Sequence, residues 1–125
     1  MQLKDSLFKI TGLSETDNRL TYNIQLNPSH FVYQAHFPGN PVTPGVCIIQ
    51  MIKELAMDRI QSILFLEKAT KIKFLNVINP LENEHVNVEL TITGNDGTYR
   101  IDANVTSSDT TFSKLSLILT NNRAA

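Results

Sequence analysis

The chain has 125 residues, 42% hydrophobic and 18% charged, with a formal net charge of −1 and one cysteine. A chain of this length suits a single domain over residues 1–125 that buries roughly two-thirds of its unfolded surface without disulfide or metal. Near-neutral charge argues against nucleic acid or an anionic membrane as main partner, and a lone Cys47 excludes an intrachain disulfide. No stretch reaches the roughly 18 apolar residues of a membrane span, and "MQLKDSLFKITGLSE" lacks the apolar run of a signal peptide. The expectation is a cytoplasmic protein without linker, repeat or low-complexity segment.

The first elements are strands. In "RLTYNIQL" (19–26), Leu20, Tyr22, Ile24 and Leu26 share one face and polar residues the other, the period of a half-buried strand. "SLFKITGL" (6–13) is its plausible partner, and "SETDN" between them is turn chemistry, so the two predict an antiparallel hairpin. A helix is expected from Val46 to about Phe65. Ile48, Ile49, Ile52, Leu55, Ala56, Ile60 and Ile63 recur three and four apart, giving an apolar face that needs a sheet to cover it.

Strands return in "ATKIKFLNVI" (69–78), in the unbroken alternation of "EHVNVELTIT" (84–93), and in "TYRIDANVT" (98–106) and "FSKLSLILT" (112–120). "GNDG" (94–97) supplies the turn chemistry between the second and third of these. Two strands, one long helix and three or four further strands make an α+β architecture, an antiparallel sheet with one helix on a face. Its open edges invite pairing or coverage by a second copy. Tyr22, Tyr33 and Tyr99 are expected to pack in the sheet.

The chemistry concentrates in "AHFPGNPVTPGVCIIQ" (35–50). Pro38, Pro41 and Pro44 fix three φ angles, while Gly39 and Gly45 permit sharp turns, so the segment is a stiff, irregular loop entering a helix at Pro44-Gly45. A helix start presents unpaired N–H groups suited to a developing oxyanion. His36 sits just upstream, and imidazole can act as general base near neutral pH. Pro-Gly before a helix is common by itself; His-Phe-Pro-Gly followed by Pro-x-x-Pro-Gly is not.

"HFPGNPVTPGVCIIQ" closely resembles the signature of the β-hydroxyacyl-acyl carrier protein dehydratases of the FabZ/FabA type, roughly HFPG-x-P-x-x-PG-V-x-I-x-E. "NPSHFVYQAHFPG" and "KIKFLNVINP" resemble two further family segments; the family's N-terminal Leu-Pro-His-Arg-Tyr-Pro-type motif has no counterpart. The resemblance implies the hot dog fold, an antiparallel sheet wrapped around one long central helix. It implies a homodimer or trimer of dimers with sites at the interface, and an acyl thioester of acyl carrier protein as substrate, with no cofactor or metal. His36 would take the α-proton of a 3-hydroxyacyl thioester and the Gly45 N–H would hold its carbonyl, with Phe37 and Val46 beside them as substrate-binding residues. An acid fourteen residues after the histidine, supplied by the other subunit, would help the β-hydroxyl leave.

That position is Gln50. An amide hydrogen-bonds a hydroxyl but cannot protonate it. Glu54 lies one turn further on the same helix face, as though Gln and Glu had exchanged places. Two readings stand at this point: Glu54 takes the acid role, or Gln50 marks lost activity with Glu54 a solvated helix residue near Lys53. The functional expectation is a 3-hydroxyacyl-carrier dehydratase-like protein. The alternatives are a hot dog thioesterase, in which Gln50 polarises the carbonyl and Glu54 assists water, and a non-catalytic subunit paired as a heterodimer with an active homologue. Lys71 and Lys73 are candidates to face an acidic carrier protein. His30 and His85 read as surface histidines, and Cys47 as a small buried hydrophobe.

Overall fold

The computed structural model describes residues 2–122. Six strands form one antiparallel sheet: β1 (Phe8–Thr16), β2 (Arg19–Leu26), β3 (Phe65–Phe74), β4 (His85–Asn95), β5 (Thr98–Ser107) and β6 (Thr110–Thr120). Their spatial order is β1-β2-β4-β5-β6-β3, which leaves β1 and β3 at the edges. A four-residue helix, α1 (Val32–Ala35), precedes the long helix α2 (Gly45–Ile60). This is the α+β arrangement that the alternating and three-four patterns predict.

The alternating residues face the helix. Leu20, Tyr22, Ile24 and Leu26 of β2, Val86, Val88 and Leu90 of β4, and Ile101, Ala103 and Val105 of β5 are all buried. Asp96 and Gly97 join β4 to β5, both with positive φ, the two-residue turn whose twist suits a hairpin. On α2 the buried stripe is Cys47, Ile48, Met51, Ile52, Leu55 and Ala56, with Glu54 at its margin. These side chains and the inner faces of the strands make one hydrophobic core.

Three expectations are corrected. The helix ends at Ile60 rather than near Phe65, because Gln61 adopts a left-handed conformation and donates its N–H to the Met57 carbonyl (2.8 Å). Ile63 therefore lies outside the helix and is exposed. Phe65 opens β3, and the chain from Leu75 to Ile78, expected in that strand, runs beyond it. Tyr33 belongs to α1 and not to the sheet.

The N-terminal segment folds back onto α2, with Leu3 and Leu7 buried. Near it, the Tyr22 hydroxyl donates to Asp58 Oδ2 (2.9 Å), and Lys4 Nζ lies 3.6 Å from Asp58 Oδ1. Burial, the hydrogen bond to Asp58 and the Asp58 charge hold the Tyr22 phenol well above its ordinary pKa. The unfolded chain therefore releases this proton first, so the contribution to stability is complete below about pH 10 and is lost as pH rises beyond it. Tyr22→Phe is expected to cost about 1–2 kcal/mol at neutral pH. It should also flatten the alkaline fall in melting temperature; unfolding curves with the same alkaline slope for both proteins would contradict this.

Candidate functional site

A groove of about 370 Å³ opens where the His36 loop, the start of α2 and the chain after β3 meet. His36, Phe37, Thr43 and Gly45 form one wall, and Phe74, Leu75 and Val77 the other. The Pro- and Gly-rich loop is fixed by its own backbone. The His36 N–H donates to the Val32 carbonyl (3.0 Å), and the His36 carbonyl accepts from the Val42 N–H (2.7 Å). Between them the Asn40 N–H donates to the Phe37 carbonyl (2.9 Å). The imidazole is exposed, with the Phe37 ring edge-on at a centroid distance of 5.5 Å.

Thr43 ties this loop to the opposite wall. Its N–H and its hydroxyl both donate to the Ile78 carbonyl (2.9 and 3.1 Å). With that proton committed, the buried Tyr33 hydroxyl donates to Thr43 Oγ1 (2.9 Å). Burial raises the Tyr33 pKa, which keeps it a donor. The sequence offered a weak signal for this chain of bonds: a threonine between two prolines, in a loop otherwise short of donors.

Pro44 caps α2, its carbonyl accepting from the N–H groups of Cys47 (3.0 Å) and Ile48 (3.1 Å). The amides of Gly45 and Val46 precede any carbonyl a full turn behind them, and the helix dipole adds partial positive charge there. Gly45 permits a close approach. A Cβ on it would lie 2.7 Å from Phe74 Cζ and 2.9 Å from Cε2, so the ring packs directly on the helix start. His36 and Gly45 thus share one groove. Val46 is 65% exposed and lies outside the groove lining, unlike Phe37. Cys47 is buried, and burial raises its pKa, so the thiol stays protonated.

Gln50 and Glu54 are elsewhere. Five residues at about 100° each turn Gln50 roughly 140° around α2 from Gly45, and neither residue lines the His36 groove. Glu54 is not a solvated residue near Lys53: it is 6% exposed. Its Oε1 accepts from the N–H groups of Leu3 (3.0 Å) and Lys4 (2.7 Å), and its Oε2 from the Leu3 N–H and the Gln50 side-chain amide (both 2.8 Å). A carboxylate so engaged satisfies the backbone of the N-terminal segment and orients Gln50.

The remaining candidates lie outside the groove. Lys71 and Lys73 line a separate depression with Arg19 and Lys114. His30 Nδ1 accepts from the Val32 N–H (3.1 Å), and the exposed His85 lies 3.8 Å from Glu84. Among the described residues no cluster of three or more His, Cys, Asp or Glu side chains could hold a metal.

The sequence profile of the ApeI-like family, described as ApeI dehydratase, matches residues 13–114. The chain belongs to the ApeI-like dehydratase family. Its curated relatives include the 3-hydroxyacyl-[acyl-carrier-protein] dehydratases FabZ of Oenococcus oeni (35% identical over 75 residues) and Pediococcus pentosaceus (45% over 62). Those matches take in 54% and 47% of this chain, which spans 52% and 37% of the two relatives. Among solved structures, the dehydratase heterocomplex ApeI:P from Xenorhabdus doucetiae superposes with a TM-score of 0.71 at 16% identity, covering 89% of this chain and 96% of that one. A mutant thioesterase from Pseudomonas aeruginosa gives 0.58 at 11%, covering 86% and 78%. At such identities the likeness is one of fold, and the fold is the hot dog fold.

For this ApeI-like chain, Thr43→Val is expected to cost about 1–3 kcal/mol, because it leaves the buried Tyr33 hydroxyl unpaired. Adding Tyr33→Phe should return part of that loss, since the orphaned group is then gone. Denaturant titration of both single variants and the double checks this. Strictly additive losses would show that the two hydroxyls do not act as one chain.

Proposed function

We propose that this protein binds a 3-hydroxyacyl thioester of an acyl carrier protein and dehydrates it slowly to the trans-2-enoyl thioester, in the cytoplasm, at a site completed by a second hot dog chain. The observation that carries this reading is the shared groove of His36 and Gly45. His36 takes the α-proton while the Gly45 N–H, at the positive end of α2, holds the carbonyl oxygen as negative charge builds on it. The β-hydroxyl then leaves as water, with Gln50 of the second chain hydrogen-bonding to it and the His36 imidazolium returning the proton. Glu54 is not the acid: its oxygens face amide donors. Phe31, Val46, Val77 and Leu81, 65–75% exposed, support assembly through this region into a homodimer or trimer of dimers.

A second reading has the chain as one half of a heterodimer whose other half supplies the acid. The lack of a carboxyl at position 50 and the superposition on a dehydratase heterocomplex favour it.

The test is an enoyl-forming assay with a 3-hydroxyacyl-carrier thioester. His36→Ala should abolish turnover without loss of fold. Gln50→Glu alone would place two carboxylates at the 2.8 Å now spanned by the Gln50–Glu54 bond and should lower stability. The double exchange Gln50→Glu/Glu54→Gln avoids this, since the new amide oxygen can accept from Leu3 and Lys4 while its NH2 donates to the new carboxylate. It should raise the rate about 10²-fold or more, the scale of a restored acid. A double variant no faster than wild type would remove position 50 from the chemistry, and release of free thiol without enoyl product would mark a thioesterase.

A further inference from the structure

One polar group has no part in the site described so far. Ser113, in β6, is fully buried, and its hydroxyl is the one buried side-chain polar atom among the described residues without a hydrogen-bond partner in the protein. Buried hydroxyls are seldom left unpaired, because desolvation is then uncompensated. Its position is defined by the register. Ser113 is directly opposite Phe74 of β3 and Val105 of β5, and directly opposed residues in an antiparallel ladder point to the same face. The Phe74 ring packs on Gly45, so this is the face toward the start of α2. The Ser113 side chain therefore lies beside Phe74 on that face, next to apolar Val105 and Leu115, one strand further into the sheet than the groove lining.

Phe74 lines the groove and is the cross-strand neighbour of Ser113. It is half exposed on an edge strand, and the β3–β6 pairing shifts register between Thr70 and Lys73. An acyl chain whose thioester carbonyl sits at Gly45 meets the ring first. With the ring turned aside, the chain runs along the face that carries Ser113. The carrier's arm enters from solvent, so the part of the ligand that reaches this depth is the acyl end.

We propose that Ser113 is a specificity-determining residue, its hydroxyl donating a hydrogen bond to an oxygen substituent carried on the acyl chain well beyond the thioester. This rests on the thioester-binding reading above. A hydroxyl isolated in an apolar wall discriminates strongly, because a plain hydrocarbon chain leaves it unpaired.

Calorimetric binding of N-acetylcysteamine thioesters tests this on the intact protein. The probes are the 3-hydroxyoctanoyl thioester and counterparts with a second hydroxyl on one of the last three carbons. At least one hydroxylated ligand should bind wild type about tenfold more tightly than the plain chain, the scale of one hydrogen bond. Ser113→Ala should abolish that preference, keep the plain-chain affinity within about twofold, and leave the melting temperature unchanged or higher, as expected when an unpaired buried group is removed. Equal affinities in wild type, a preference that survives in Ser113→Ala, or a lower melting temperature of that variant would each overturn the proposal. Plain-chain binding without preference overturns this inference alone. No binding of any thioester overturns it together with the reading on which it rests.

Discussion

The buried Glu54 carboxylate fixes more of this molecule than any other polar group. A carboxylate removed from water must find donors for both oxygens. Here two backbone amides of the N-terminal segment and one side-chain amide from the same helix provide them. The same bonds hold Leu3 against the core and set the direction in which Gln50 points. A residue that from its type and helix position is a candidate acid is thereby a clamp on the N-terminal segment.

On the other side of α2 a different device is used. The His36 loop has no carboxylate to organise it. It is held by prolines, by backbone bonds that close the turn, and by the run of hydroxyls from Tyr33 through Thr43 to the Ile78 carbonyl. The result is His36 and the start of α2 set in one groove with little freedom, the kind of arrangement that preorganised catalysis would use. The two devices face away from each other around one helix. Within one chain the two are therefore held apart, and neither Gln50 nor Glu54 lines the His36 groove.

Much of this was legible in the sequence. Strict alternation placed β2, β4 and β5, because a strand with one buried face has no other way to be written. The histidine and the helix start were readable from the residues themselves, and Gln50 only from the resemblance, as the position where those dehydratases carry an acid. What escaped depends on partners far along the chain. Glu54 reads as a surface glutamate until Leu3, 51 residues away, is seen to donate to it. The helix seemed to continue through Ile63 because apolar spacing persists there, but Gln61 turns left-handed without the glycine that usually announces such a stop. β3 was placed several residues too late because its first half, "FLEKA", is charged on an edge strand and shows no alternation.

The measurement closest to the centre of this account is Glu54→Gln alone, followed in parallel for stability and for turnover of a 3-hydroxyacyl thioester. If Glu54 is a clamp, the variant loses about 1–3 kcal/mol of unfolding free energy through its weakened hydrogen bonds to the N-terminal segment, while kcat/KM stays within about threefold of wild type. A fall in turnover of about 10²-fold with unchanged stability, the mark of a lost acid–base group, would contradict it.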